Sequence, residues 1–144
     1  MKADLQKKKV QVVVLAEGKL LRLKFNEKKS GYKNSYQNIT GSVEGVESFS
    51  EGAERELQEE IGLLQKCIDL NFEFSFKDRW NNQVTEKVFL CFFDHIPAIT
   101  LSDEHESYEW KNVTLVTPED FLFPSNYQAF LLSQNYLADL RGKQ

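Results

Sequence analysis

A mixed α+β fold is predicted for this chain of 144 residues by three observations. Short apolar runs separated by turn residues occupy positions 10–25, a two-residue alternation runs through positions 70–76, and a four-residue apolar spacing marks positions 53–61. Strands are therefore expected on both sides of a helix.

In chain order, Val10 to Ala16 and Leu20 to Phe25 read as strands joined at Glu17-Gly18 as a hairpin. The polar stretch 26–37 carries Lys28, Lys29, Ser30, Gly31 and Asn34 and reads as an exposed loop, of a length that suits ligand contact. Between Ser50 and Gly62 the period changes: Ala53, Leu57 and Ile61 recur every fourth residue, a serine stands where an N-cap belongs, and Gly62 can close the helix in a left-handed conformation. Leu70, Phe72, Phe74 and Phe76 alternate with polar residues, and after a turn around Asn81-Asn82 a second strand returns over about 85–93, giving a long hairpin with a Phe-rich face. Glu109 to Val113 reads as a further strand. Thr117-Pro118-Glu119-Asp120 has the cap, proline and acids of a helix start, and Ser125 to Leu140 carries a helical apolar pattern.

Composition bounds the function. With 41% hydrophobic residues, only 3 Pro and 7 Gly, and no repeat or linker, residues 1–144 read as one domain with a single core. Eighteen Lys plus Arg against 22 Asp plus Glu give a net charge of -4, the wrong sign for binding a phosphate backbone, so no large nucleic acid is expected as partner. No apolar run approaches the ~20 residues of a membrane helix. Lys2 and Lys7 to Lys9 ahead of Val10 faintly imitate a secretion signal, but the apolar part is minimal and Glu17 follows at once. Cys67 and Cys91 sit in apolar segments without metal-ligand spacing and read as reduced, buried thiols, which together with the weak signal places the expectation in the cytoplasm.

The chemistry concentrates in the helix. Glu51, Glu54, Glu56, Glu59 and Glu60 crowd it, with Glu56 and Glu60 one turn apart, Glu59 beside them, and all roughly opposite the Ala53, Leu57, Ile61 stripe. Like charges at this spacing cost roughly 0.2 to 0.5 kcal/mol per pair, and Arg55 is the one cation within the helix. A solvated acidic face is the ordinary reading of such a helix; a hard divalent cation is the alternative, because Mg²⁺ takes oxygen ligands and joins carboxylates to substrate phosphates.

The spacing extends beyond the helix: Gly41, five residues, Glu47, seven residues, then Arg55-Glu56-Leu57-Gln58-Glu59-Glu60-Ile61-Gly62-Leu63. This segment resembles a complete Nudix box. The resemblance implies a Nudix fold, a mixed β-sheet sandwiched between helices (α/β/α), and a hydrolase acting on phosphoric anhydride bonds, with Mg²⁺, or alternatively Mn²⁺, as cofactor. It implies Glu56, Glu59 and Glu60 as metal ligands, and Gly41, Glu47, Arg55 and Gly62 as structural residues of the box. Arg55 would orient carboxylates such as Glu47, and the backbone around Thr40 would add a carbonyl to the metal shell. One position departs: Val46 stands where many boxes have glycine, with Gly45 one place earlier.

Outside the box, the stretches 35–44 and 103–110 are similar to segments of the bacterial dihydroneopterin triphosphate pyrophosphohydrolases, also described as dATP pyrophosphohydrolases, as is Pro124-Ser125-Asn126-Tyr127-Gln128-Ala129. Tyr36 and Tyr127 stand where that group has tryptophan and arginine. Glu104 matches a glutamate outside the box, making it a fourth metal ligand and, with Glu56, a candidate general base; Glu59 belongs with these two as a catalytic candidate. His105 reads as a hydrogen-bonding residue. Among the cations near these segments, Lys24 and Arg79 are the choices for holding phosphates; Tyr36 and Trp80 are the aromatics that could stack on the ring, with Tyr36 the choice.

The implied reaction is hydrolysis of a nucleoside triphosphate or dihydroneopterin triphosphate to the monophosphate and pyrophosphate, by a monomer or homodimer. The alternatives are another Nudix activity, on nucleotide sugars, dinucleoside polyphosphates, oxidised nucleotides or capped RNA, and a non-catalytic nucleotide-binding Nudix module.

Overall fold

The computed structural model describes residues 6–142, so Lys2 lies outside the described residues. β1 (Gln6–Ala16) and β2 (Lys19–Phe25) form the expected hairpin, whose turn places Glu17 and Gly18 at φ 50° and 72°. Two successive left-handed residues match the twist of the flanking strands. β1 starts four residues before Val10 because it is the central strand: it pairs in parallel with β6 (Gln83–Phe93) along its whole length, from Gln6 opposite Gln83 to Ala16 opposite Phe93.

Beyond Leu15 and Ala16 the two hairpin strands splay apart. The gap is filled by two short strands: β3 (Tyr36–Gln37) pairs with β2, and β4 (Ile39–Ser42) with β1. Both fall at the end of the stretch that reads as loop or just after it; their two and four residues are too few to show an alternation. The rest of the expected loop holds a single helical turn, α1 (Glu27–Ser30), capped by Asn26 and closed by Gly31 at φ 81°. β5 (Ile68–Lys77) is the edge strand beyond β6, and β7 (His105–Asn112) pairs with β2, giving the order β3-β2-β1-β6-β5 with β4 on β1 and β7 on β2. β7 begins at His105 rather than Glu109. A bulge at Asn71, φ 55°, interrupts β5; Phe74 packs on the core, and Phe72 and Phe76 are exposed.

α2 (Phe49–Ile61) is the four-spaced helix. Its N-cap is Ser48, two residues before Ser50, and Ser48 and Glu51 form a reciprocal capping box; Gly62 closes it at φ 74°. The Thr117 segment makes only one 3₁₀ turn, Pro118–Asp120, because Phe121 returns to extended backbone to bury its ring. α3 (Pro124–Gly142) is the last element.

Two apolar layers result. Val10, Val12, Val14, Phe89 and Cys91 face Ala53, Leu57 and Ile61 of α2. Val13, Leu15, Val88 and Leu90 face Ala129 and Phe130 of α3. Alternate residues of β1 and β6 thus serve opposite faces, which is the α/β/α sandwich expected. Truncating a fully buried side chain such as Leu57 to alanine costs about 2–5 kcal/mol. Both cysteines are free thiols, Cys91 buried and Cys67 half-buried. The Cys91 thiol is pushed up by Cys67 beside it and by burial. No helix among the described residues is long and apolar enough to cross a membrane.

Candidate active site

The site is assembled where β1 and β2 diverge, from one face of α2, from β4, and from the loop entering β7. Arg55 organises the helix side. Its Nε donates to Glu47 Oε2 at 2.8 Å, Nη2 to Glu47 Oε1 at 3.0 Å and to the Ser42 carbonyl at 2.6 Å, and Nη1 to Glu56 Oε1 at 3.0 Å and Glu59 Oε2 at 3.1 Å. A planar fork can hold several carboxylates and a carbonyl in one arrangement where an ammonium could not. Hydrogen bonding from Arg55 holds the Glu47 carboxyl below the usual range. Gly45 takes φ 50° and Val46 is fully exposed, so the exchange of glycine and valine moves the left-handed residue by one place and Glu47 still reaches Arg55.

The five glutamates do not share one solvated face. Glu56 and Glu60 are buried, at 7% and 4% exposure, whereas Glu51 and Glu59 are exposed. Two neighbours bury them. A Cβ at Gly41 would collide with the Glu56 carboxylate, so the bare backbone of β4 makes the space in which that carboxylate lies. The other neighbour is the loop 100–105, stitched to the end of α2: Thr100 N donates to the Ile61 carbonyl and Ser102 N to the Glu60 carbonyl, each at 3.0 Å. Gly62 lets this loop approach, since a Cβ there would meet Thr100 at 3.1 Å.

The same loop delivers Glu104 and His105. Glu104 stands against Glu60, whose negative charge, followed by burial, pushes the Glu104 carboxyl up. Burial is the largest influence on Glu56 too, outweighing Arg55, and pushes it up to about 7. Glu60 is the exception. Burial alone would raise it, but Ser102 Oγ donates to its Oε2 at 3.0 Å and His105 Nδ1 lies 2.9 Å from the same oxygen, and the net direction is down. His105 Nδ1 thus faces the buried Glu60 carboxylate at close range. The other ring nitrogen, Nε2, lies 3.0 Å from Gln37 Nε2, where it accepts from the amide. Gln37 thereby ties β3 to the buried carboxylate.

The sequence marks His105 as a hydrogen-bonding residue and assigns no role to Ser102 or Gln37. Gln37 lies within the similar stretch 35–44; nothing in the sequence marks Ser102, whose role depends on the stitched loop. The three expected substrate contacts lie apart from the carboxylates. Tyr36 on β3 covers the Arg22 guanidinium at 3.9 Å, and Arg22 is spent on Glu109 and the Asp120 carbonyl. Lys24 is half-buried on β2 opposite Tyr36, and Arg79 lies over Trp80 in the β5–β6 turn.

Two hollows meet at Gln37. The smaller, about 300 Å³, is lined by Lys29, Asp103, Glu104 and His105, with Lys29 paired to Asp103. The larger, about 490 Å³, lies on the α3 face between Thr40, Phe74 and Phe76 of β5, and Phe123, Asn126 and Gln128.

The family model of the NUDIX domain matches residues 6–132. The chain belongs to the Nudix family. Octanoyltransferase from Myxococcus xanthus is 30% identical over 102 residues, which cover 67% of this chain and 27% of that one, so this chain spans about a quarter of that relative's length. Among solved structures, the E. coli dihydroneopterin triphosphate pyrophosphohydrolase is 24% identical, with a TM-score of 0.73 over 88% of this chain and 94% of that one. A C. elegans Ap4A hydrolase binary complex is 16% identical, with a TM-score of 0.75 over 92% and 98%. The MutT protein of Methanosarcina mazei is 21% identical, with a TM-score of 0.74 over 94% and 99%. These likenesses agree on the Nudix fold.

Nudix hydrolases generally need divalent metal ions, and the donor set here fits one. Among the described residues no three acidic, histidine or cysteine side chains form a ready-made cage. Mg²⁺ does not require one, because it keeps several waters and binds through one or two carboxylates plus substrate phosphates. The donors gathered here, Glu56 and Glu60 on α2 and Glu104 from the adjoining loop, are all carboxylate oxygens, the ligands a hard cation takes.

Proposed function

We propose that this Nudix protein hydrolyses a nucleoside triphosphate or a pterin triphosphate to the monophosphate and pyrophosphate. One observation carries the reading: the two hollows share Gln37, so a substrate with phosphates beside Glu104 has a cleft of about 490 Å³, walled by Phe74, Phe76 and Phe123, open to its ring.

Glu56, Glu59, Glu60 and Glu104 would hold the divalent metal, one or two carboxylates to each ion, with Glu59 at the rim and tethered by Arg55. When bound, that cation supplies charge neutralisation on the phosphates and acidifies water for attack on phosphorus. Glu56 and Glu104 are the two candidate bases. Glu60, held low by Ser102 and His105, keeps its charge and stays a ligand. Lys24, Tyr36 and Arg79 line neither of these hollows and take no part in this reading.

The test is release of pyrophosphate and phosphate with Mg²⁺ across the nucleoside triphosphates, dihydroneopterin triphosphate, 8-oxo-dGTP, ADP-ribose and diadenosine tetraphosphate, with Glu60→Gln as control. Pyrophosphate from a triphosphate, reduced by orders of magnitude in a folded Glu60→Gln protein, supports the reading. Activity confined to ADP-ribose or the dinucleotide replaces the substrate class, and silence across the panel replaces the enzyme with a nucleotide-binding module.

A further inference from the structure

Glu86 breaks the pattern of its strand. Val84, Glu86, Val88 and Leu90 alternate toward the α3 face of β6, and three of the four are the apolar residues that face requires. The carboxyl among them is 5% exposed, pairs with no cation within ion-pair distance among the described residues, and takes no part in the metal site. It lines the larger cleft, across from Asn126 and Gln128.

A chain of amides fixes how Glu86 is presented. The backbone carbonyl of Asn126 can only accept, so the group 3.2 Å from it on Asn38 is the amide nitrogen, Nδ2. The same nitrogen donates to Gln11 Oε1 at 2.8 Å, which turns the Gln11 nitrogen toward Glu86, where it donates to Oε1 at 2.9 Å. Gln11 and Asn38 are themselves 0% and 1% exposed, so neither amide has room to turn over. Oε1 of Glu86 is thereby committed as an acceptor. Oε2 has no partner among the described residues and is left to the cleft.

A carboxyl so placed is costly to ionise. The Gln11 hydrogen bond and Lys9, which is opposite Glu86 in the β1–β6 register and lines the cleft, both favour the ionised form, yet burial outweighs them and the carboxyl is pushed up. Lys8 and Lys87 stand over Phe49 on the other face of the sheet, at 5.8 and 5.5 Å from its ring centre.

We propose that Glu86 reads the ring of the substrate as a hydrogen-bond donor, its Oε2–H directed at an acceptor on the ring edge, an oxo group or a ring nitrogen, while the Phe74, Phe76 and Phe123 side chains flank the ring. The proposal rests on the hydrolase reading above and adds to it the residue that discriminates among rings.

The test compares wild type, E86Q and E86M on purine and pyrimidine nucleoside triphosphates and dihydroneopterin triphosphate, with kcat and KM measured separately. A glutamine in this place can accept from Gln11 through its oxygen and donate into the cleft through its nitrogen, whereas a methionine can do neither. The expected result is that E86M raises KM for the preferred ring by about tenfold or more and flattens the ranking of rings, with the loss falling on KM rather than kcat, and that E86Q recovers the wild-type ranking. E86Q falling as far as E86M overturns the donor role, and an E86M ranking equal to wild type overturns any ring contact. Thermal melts of both variants separate these outcomes from misfolding, and E86Q, of the same shape, decides the question if E86M does not fold: a ranking unlike that of wild type overturns the donor role. A wild type that turns over none of the ring-bearing triphosphates overturns the hydrolase reading itself, and the proposal with it.

Discussion

The Glu56 carboxylate lies in the space that a side chain on Gly41 would fill. A box glycine on β4 and a box glutamate on α2 are therefore one packing unit, although a loop and half a helix separate them in the chain.

Gly41→Ala follows directly. Gly41 has no left-handed φ, so alanine is accommodated by the backbone of β4 but evicts the carboxylate. The variant is expected to fold with unchanged circular dichroism while turnover with Mg²⁺ falls roughly ten- to a hundredfold, the scale of displacing a group that supports a metal site. Wild-type turnover in Gly41→Ala would show that the packing of Glu56 has no bearing on the chemistry.

Arg55→Lys keeps the charge and loses the fork. The side chain is 21% exposed and bonds Glu47, Glu56, Glu59 and the Ser42 carbonyl, and a lysine cannot serve all four. Denaturant titration should show a loss of about 1–3 kcal/mol, and turnover should fall as well because Glu56 and Glu59 lose their tether. An unchanged unfolding midpoint would count against the network.

The carboxylates also set a pH dependence. Glu56 titrates at about 7 when folded against an ordinary 4.5, so folding favours its protonated form. Its contribution is fully present below pH 4.5 and is lost as pH rises through 7, an amount on the order of 3 kcal/mol. Glu60, shifted down, acts in the opposite sense and loses its contribution as pH falls through its folded value. In EDTA, stability should therefore decline as pH rises from 4.5 to 7, and Glu56→Gln should make that decline shallower, Glu104 and Glu86 supplying the remainder. Urea midpoints measured across this window decide it; a slope unchanged by the substitution assigns the titration elsewhere.

Ser48→Ala is the counterpart that separates stability from chemistry. Ser48 caps α2 through Glu51 and touches no carboxylate of the site. The expected loss is about 1 kcal/mol of stability with kcat/KM unchanged. A parallel fall in kcat/KM would show that the start of α2 governs the position of Glu56.

The box, the helix and the long hairpin are legible in the sequence because each declares itself within a few turns: Ala53, Leu57 and Ile61 at helical spacing, Gly62 as the stop, and the fixed distances from Gly41 to Glu47 to Arg55. What stays hidden depends on contacts between distant segments. β3 and β4 exist because β1 and β2 splay, which no local pattern encodes. Glu56 and Glu60 read as lying on the outer face of the helix because its periodicity sets them opposite the core stripe, whereas Gly41 and the loop at Ser102 cover them. Glu86 leaves a fainter trace, a single charge in an apolar alternation.

The parallel pairing of β1 with β6 has a consequence for how the molecule comes into being. Gln6 meets Gln83 and Ala16 meets Phe93. Contacts so far apart in the chain close slowly, because the intervening loop must lose its freedom before any bond rewards it, while the β1–β2 and β5–β6 hairpins are local and quick. A nascent chain that ends before Gln83 already contains every glutamate of α2, yet its central strand lacks the neighbour along one edge and the loop that buries Glu60 has not been made. The proposed metal site is thus completed late in synthesis, and until then the unpaired flank of β1 is open to pairing with another copy.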